Sequence, residues 1–321
     1  MSLDAIGTAA GPPSHIRLSV VILSFNRAED LCKTLAETHL AMQSLRDTAE
    51  LIVVENGSTD NSLEIANHHR GVQVIPLESN IGIAGFNQGF SACRGEWILV
   101  LDDDSYPVHQ CMERFLALAD SIPDDVGAVA CTVHHPDPAK AEAMGQWPRE
   151  VISFWGCGAF LRRSVLSAVG GYREDLFLYQ NELEWTIRAR AAGWRVLYEP
   201  TLAVYHAGSQ KNRSAAREFR HNYRNRILVA CLYYDPVFLV DFLAWTATIT
   251  FLKAVIKYRV SDLIFIWRPF QGNLATRAAI RSKISRPVRA WVRQRIWRDL
   301  ELIPPVLTDL PRRLFLRKPI Y

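Results

Sequence analysis

The stretch that most restricts how this 321-residue chain can fold is Trp97-Ile98-Leu99-Val100-Leu101-Asp102-Asp103-Asp104-Ser105-Tyr106-Pro107. Its branched and aromatic start, with no polar alternation, reads as a strand buried on both faces, and Pro107 ends it. Adjacent carboxylates repel and resist burial, so three at the end of a buried strand call for a cation or for donors aimed at them. In an open α/β sheet that edge is also where ligands bind. Oxygen ligation of Mg²⁺ or Mn²⁺ shared with a diphosphate suits such a cluster, since Mg²⁺ usually takes one or two carboxylates plus substrate oxygens. The plain alternative is a solvated acidic turn.

Other apolar runs flank this one. Leu18–Phe25 reads as a strand that leads into Asn26-Arg27 and a helix marked by Leu31, Leu35 and Leu40. Leu51–Val54 is a second buried strand, closed by Glu55-Asn56-Gly57-Ser58-Thr59-Asp60, where Gly57 supplies a turn and a short polar residue caps the next helix. Val72–Pro76 is a third, followed by a glycine-punctuated helix start from Asn80 to Gly89. Strands alternating with helices imply an α/β fold with a mostly parallel central sheet, because parallel neighbours need a crossover. Neither GxGxxG nor a P-loop is present, so ordinary dinucleotide or Walker-type phosphate binding is unsupported.

Further on, Val126–Val133, Phe154–Leu161 and Trp194–Tyr198 read as strands, and Gln180 to Gly193 as a helix with its stop. His134 and His135, in a proline-rich loop, read as exposed. Glu182 and Glu184 are spaced i, i+2 and do not share a helix face, so one can point at a substrate while the other is structural. Val237–Leu252 is apolar but holds Asp241 and meets Lys253, making it short for a span of about 20 residues. The apolar residues Ile280, Ile284, Val288, Trp291, Val292 and Ile296 are interleaved with basic ones. This pattern predicts an amphipathic helix, kinked at Pro287, that lies in a membrane interface or packs on the core.

Net charge is +4, but residues 253–321 hold 16 Lys and Arg against 4 Asp and Glu, leaving 21 against 29 in the rest. Such asymmetry predicts an anionic partner surface. Confinement of the charge to an apolar-rich tail favours an anionic membrane surface over nucleic acid. Six cysteines without CxxC spacing suggest neither a zinc ribbon nor a thioredoxin motif and suit a reducing compartment. Residues 1–16 are small, polar and proline-containing, without the apolar core of a signal peptide, and read as a disordered leader.

Taken in order, six pieces resemble the family 2 glycosyltransferases, the inverting group with the GT-A fold, and among them bacterial polysaccharide and cell-wall rhamnosyl- and galactofuranosyltransferases. They are Val20 to Arg27, Val53 to Asp60, Asn80 through Gly89, Asp102 to Asp104, Asn181 to Trp185 with Arg188, and Tyr205-His206. The likeness runs from about Leu18 to Arg226. It implies a transferase domain over 17–226, with the nucleotide half ending near residue 115 and a helical, basic, membrane-associating region over 227–321. It also implies a donor site of Ser24, Asn26, Arg27, Glu55, Asn56, Asn80, Asn87, Asp102 and Asp103. Asp104 and His206 would hold Mg²⁺ or Mn²⁺, Glu182 would be the catalytic base, and Trp155, Gly156, Glu184 and Trp185 would lie on the acceptor side. The chain departs from the family in having Glu55 where Asp is usual and Asn181-Glu182 where many members have Glu-Asp.

The implied reaction is a single displacement moving a sugar from a nucleoside-diphosphate donor, such as a UDP-galactofuranose or dTDP-rhamnose, to a hydroxyl of a glycan or lipid-linked acceptor. It is expected on the cytoplasmic face of the cell membrane. It needs one base and one Lewis acid, in keeping with the lack of an evident Ser/His/Asp or Cys/His arrangement. Two other classes compete. A sugar nucleotidyltransferase would open with a glycine-rich loop where this chain has Ser24-Phe25-Asn26-Arg27. A non-catalytic nucleotide-sugar-binding or scaffold protein would have no use for both the triple Asp and Glu182.

Overall fold

The computed structural model describes residues 15–137, 147–209, 211, 214–268 and 284–298. Most of the leader 1–16 and most of the basic tail therefore lie outside the described residues. The chain divides into two compact units, one of residues 1–177 and 192–212, the other of 178–191 and 213–321.

The first unit holds a nine-stranded sheet: β1 (Leu18–Ser24), β2 (Ala49–Glu55), β3 (Val72–Pro76), β4 (Trp97–Asp102), β5 (Ser105–Pro107), β6 (Val126–His134), β7 (Arg149–Glu150), β8 (Ala159–Arg162) and β9 (Arg195–His206). The spatial order is β3-β2-β1-β4-β8-β6-β9-β5, with β7 also on β9. From β3 to β4 every pairing is parallel. Helices α1 (Ala28–Ala41), α2 (Ser62–His68) and α3 (Phe86–Ala92) make the crossovers. Beyond β4 the sheet is mixed: β8 is antiparallel to both β4 and β6, while β6 and β9 are parallel. An antiparallel strand needs no helical crossover, so β8 can enter from the irregular stretch after β7 and lead straight into α5 (Arg163–Val169).

The sequence pattern explains the burial. Leu18 to Ser24 and Trp97 to Leu101 are buried at every position, as strands covered on both faces must be. Phe115 from α4 (Cys111–Ala119) stacks on Phe160 at a centroid distance of 3.6 Å and meets Trp97 edge-on at 5.1 Å, locking β4 to β8.

Glycine matters at one approach in particular. A Cβ on Gly158 would stand 2.3 Å from Cγ2 of Val204, so only glycine lets the start of β8 lie against β9. Gly158→Ala forces the stiff Val204 aside, with an expected cost of about 1–3 kcal/mol. A lowered urea midpoint checks this, and a midpoint equal to wild type would show that β8 and β9 yield freely.

The second unit is helical: α6 (Asn181–Ala191), α7 (Ala215–Tyr233), α8 (Pro236–Ile256), α9 (Asp262–Trp267) and α10 (Arg286–Arg298). Its core joins Phe219, Tyr223, Ile227 and Cys231 of α7 to Ile249 of α8 and Ile266 of α9. Three sequence expectations need revision here. The boundary at 226/227 falls inside α7, whose apolar spacing runs on to Tyr233. The 237–252 segment extends to Ile256, because Lys253 is followed by Ala254, Val255 and Ile256. The described part of the amphipathic stretch starts its helix at Arg286, so Pro287 sits in the first turn, where its missing N–H costs nothing, instead of kinking the interior.

That helix also buries Val292 and Ile296, and Trp291 lies under Arg190 of α6 at 5.3 Å. Its apolar face is thus used within the unit. The large exposed apolar face belongs to α8, capped by Asp235 accepting from Phe238 N–H at 3.0 Å. Its 21 residues are long and apolar enough to cross a membrane by length and composition.

Candidate active site

The C-terminal ends of β1, β2 and β4 meet at one edge of the first unit, and their loops are tied together. Asn26, in the left-handed region at φ 52°, donates its N–H to Ser58 Oγ at 2.8 Å and accepts Thr59 N–H at 2.7 Å. Glu55 accepts Ser58 N–H at 2.8 Å. Asn56, buried, donates to Asn80 Oδ1 and to the Gly82 carbonyl, both at 3.1 Å, and accepts Ile81 N–H at 3.0 Å. Ser24 is fully buried and its hydroxyl has no hydrogen-bond partner among the described residues.

The three carboxylates are separated by role. Asp103 accepts Phe25 N–H at 3.0 Å and Arg27 Nη1 at 2.9 Å, and Thr34 Oγ1 donates to its carbonyl at 2.9 Å. Burial pushes its carboxyl up, to about 7, against the pull of Arg27, and the charges of Asp104 and Asp102 add to the rise. Asp104, also buried, accepts Ser209 N–H at 2.7 Å, stands 3.4 Å from Arg27, and has Oδ1 at 3.2 Å from His206 Nε2. Burial opposes its charge too, but the His206 and Arg27 contacts prevail and hold its carboxyl below the ordinary range. Asp102, half-exposed, ends β4 with its N–H on Ser105 Oγ at 2.8 Å.

Antiparallel pairing of β5 with β9 sets Ser105 opposite His206, and this register brings the histidine to the acidic cluster. One ligand atom each from Asp102, Cys157 and His206 lie within 4.8 Å of one another. The donor set fits a divalent cation: carboxylate, imidazole and thiol converge where burial and like charge already disfavour the ionised Asp103.

The predicted site residues are thus partly gathered. Ser24, Asn26, Arg27, Glu55, Asn56, Asn80, Asp102, Asp103, Asp104 and His206 belong to this edge or its braces. Asn87 spends both ends of its amide on the Tyr172 backbone, at 2.8 Å each. Trp155 is exposed, and its carbonyl accepts Gly158 N–H across the turn that holds Gly156.

Glu182, Glu184 and Trp185 lie in the second unit. Trp185 and Glu184 have no exposed surface. Glu184 receives Arg188 Nε and Nη2 at 2.9–3.0 Å and the Tyr233 hydroxyl. It is held inside the unit instead of facing an acceptor, as i, i+2 spacing allows. Glu182 is half-buried in the first turn of α6.

Sequence reading missed three contributors. Cys157 lacks any ligand spacing, and only its two flanking glycines hint at a special turn. Asn222 and Asn225 are polar positions three apart on α7. Asn222 Oδ1 accepts from Gln180 at 2.9 Å, and buried Asn225 donates to the carbonyls of Leu178 and Tyr179 at 2.6 and 3.0 Å. They brace a turn in which Tyr179 and Gln180 both adopt positive φ just before Glu182. Asn225→Ala strips those carbonyls of their donor and is expected to cost about 1–3 kcal/mol. Faster amide exchange around 178–182 and a lower urea midpoint are the measurements, and unchanged protection would mean the turn holds itself.

The comparisons with known proteins agree with this geometry. Residues 19–170 match the family Glycosyl transferase family 2. That match takes just under half of the chain, which resembles the family 2 glycosyltransferases there, and the sheet order is that of a GT-A-like fold. Over 142 residues the chain is 29% identical to the undecaprenyl-phosphate 4-deoxy-4-formamido-L-arabinose transferase of Pseudomonas savastanoi pv. phaseolicola. That match takes 42% of this chain and spans only 40% of the relative. Among solved structures, S. aureus TarS superposes with a TM-score of 0.59 at 18% identity, covering 87% of this chain and 53% of that one. The Pyrobaculum calidifontis mannosyltransferase PcManGT, solved with GDP-Man and Mn²⁺, gives 0.56 at 19%, covering 95% and 90%. At these identities the two structures establish the fold.

Proposed function

We propose that the protein is an inverting glycosyltransferase that moves a sugar from a nucleoside-diphosphate donor to a hydroxyl of a glycan or lipid-linked acceptor in one displacement. The observation that carries this reading is the convergence of Asp102, Asp104 and His206 at the end of β4, beside the braced loops of Ser24–Arg27 and Glu55–Asp60. Asp102 and His206, the imidazole steadied by Asp104, would hold a divalent ion, Mg²⁺ or Mn²⁺ by the resemblance, which when bound stabilises the departing diphosphate as a Lewis acid. Asn26, Glu55 and Asn56 shape the base and ribose pocket, and Arg27 fixes Asp103 and Asp104. Glu182 takes the proton from the acceptor hydroxyl as it attacks the anomeric carbon.

The test is calorimetric titration of the full chain with UDP-, dTDP- and GDP-sugars, with Mn²⁺ and with chelator. Tight, metal-dependent binding of one nucleotide class is expected, and no binding of any of them would overturn the reading. The donor sugar belongs to the same experiment. Rhamnose and galactofuranose follow from the resemblance, while the relatives carry formamido-arabinose and mannose in their names.

The same reading places the enzyme on an anionic membrane surface on the cytoplasmic side. Support comes from α8, whose Val237, Val240, Phe251, Leu252, Val255 and Ile256 are exposed while Phe238, Thr246, Ile249 and Ala254 pack inward. A one-sided face suits a helix lying in the interface better than one surrounded by lipid. The lipid phosphate in the relative's name suits a membrane-borne acceptor. Phe251→Asp with Val255→Asp is expected to release the protein from anionic liposomes while donor binding persists. Undiminished sedimentation of the double variant would remove α8 from the contact.

A further inference from the structure

Spacing marks none of the six cysteines as a ligand, yet the fold carries the Cys157 sulfur to the acidic edge. The position is built. Gly158 lies against Val204 with no room for a Cβ, its N–H is bonded to the Trp155 carbonyl at 3.0 Å, and its own carbonyl accepts Cys131 N–H at 3.1 Å. Cys157 is 2% exposed and His206 8%, so neither side chain is a loosely held surface group. His206 is further oriented by Asp104 at 3.2 Å, the carboxylate–histidine pairing that commonly stands behind a ligating imidazole.

We propose that Cys157 is a direct ligand in a three-donor cation site with Asp102 and His206, and that this site prefers a borderline ion such as Co²⁺ or Zn²⁺ to Mg²⁺. The geometry is close to what such an ion needs. Donors held at about 2.0–2.3 Å in a tetrahedral array lie roughly 3.3–3.8 Å apart, and the three ligand atoms here are already within 4.8 Å of one another. Thiolate is a soft donor that Mg²⁺ avoids, while one nitrogen, one sulfur and one carboxylate oxygen suit zinc and cobalt. Three protein ligands leave a fourth position, which on the transferase reading a diphosphate oxygen would take. The ion preference itself does not depend on that reading.

Cobalt titration of the full-length protein without donor tests it. The expected result is a thiolate-to-cobalt charge-transfer band that Zn²⁺ abolishes and excess Mg²⁺ does not. Cys157→Ser should remove the band and weaken Co²⁺ binding more than about tenfold, the lower end of what loss of even an outer-shell partner costs. Asp102→Asn should weaken binding while keeping the band. Cadmium NMR of the wild-type protein gives a readout that needs no variant, since a thiolate ligand shifts the resonance far from that of an oxygen and nitrogen site. A band that persists in Cys157→Ser, ready displacement by Mg²⁺, or a cadmium shift without sulfur would each overturn the proposal. None of these would disturb metal-dependent donor binding, so the two readings fail separately.

Discussion

Glu182→Gln is expected to lower turnover by about 10²–10⁴-fold, the range for loss of a general base, with donor affinity unchanged. The substitution keeps the shape of the side chain and, on the proposed reading, removes only its ability to accept a proton from the acceptor hydroxyl. Two observations single out this carboxylate from its neighbour. Glu184 is fully buried and committed to Arg188 and Tyr233, while Glu182 is half-buried on a different side of the first turn of α6. The turn that leads into it is strained at Tyr179 and Gln180 and braced by Asn222 and Asn225, a cost a chain bears where a side chain must be aimed. Single-turnover rates with saturating donor measure the effect. A Glu182→Gln enzyme that turns over within a few-fold of wild type would place the base elsewhere.

The second large effect is on stability. Glu184→Ala is expected to destabilise the protein by about 3 kcal/mol, because removing the buried member of an ion pair takes away the main counter-charge of the other. The carboxylate side chain is 0% exposed and meets the Arg188 guanidinium, itself 20% exposed, at 2.9 Å with i, i+4 spacing, so solvent reaches only part of the charge left behind. A loss of this size is a large part of the roughly 5–15 kcal/mol that a domain commands. Tyr233→Phe removes one hydrogen bond to the same carboxylate and should cost nearer to 1 kcal/mol. Chemical denaturation of both variants checks the order. Equal, small losses would mean that Glu184 contributes packing only.

These paired expectations separate two acids that local sequence could not tell apart. Spacing of i, i+2 says that Glu182 and Glu184 face differently, but not which one turns inward. The choice was made by Arg188 one turn on and by Tyr233 at the far end of α7, a partner 49 residues away. Asn87 is a similar case: a polar residue in a glycine-rich helix start reads as a ligand contact, while its amide is used to hold the Tyr172 backbone. Likewise the basic, tryptophan-bearing stretch near residue 291 reads either as a helix in a membrane interface or as one packed on the core, and α10 turns Val292 and Ile296 into its own unit.

By itself the sequence determined what depends on short range. Unbroken apolar runs fixed β1, β2 and β4 as buried strands, Gly57 and the polar residues after it fixed the β2–α2 turn, and Asp102–Asp104 fixed an acidic edge. Each of these follows from side chains a few residues apart, and order along the chain was enough to place them on one α/β sheet. Tertiary structure decided what depends on register and on which distant residue shares a pocket. The antiparallel setting of β8 and β5, the pairing of Ser105 with His206, and the arrival of Cys157 beside Asp102 are such cases. The physical reason is that a donor atom becomes a ligand only by position within an ångström or so. The donor atoms of residues 102, 157 and 206 come within 4.8 Å of one another through the packing of Gly158 on Val204 and strand pairing, neither of which leaves a mark in local spacing.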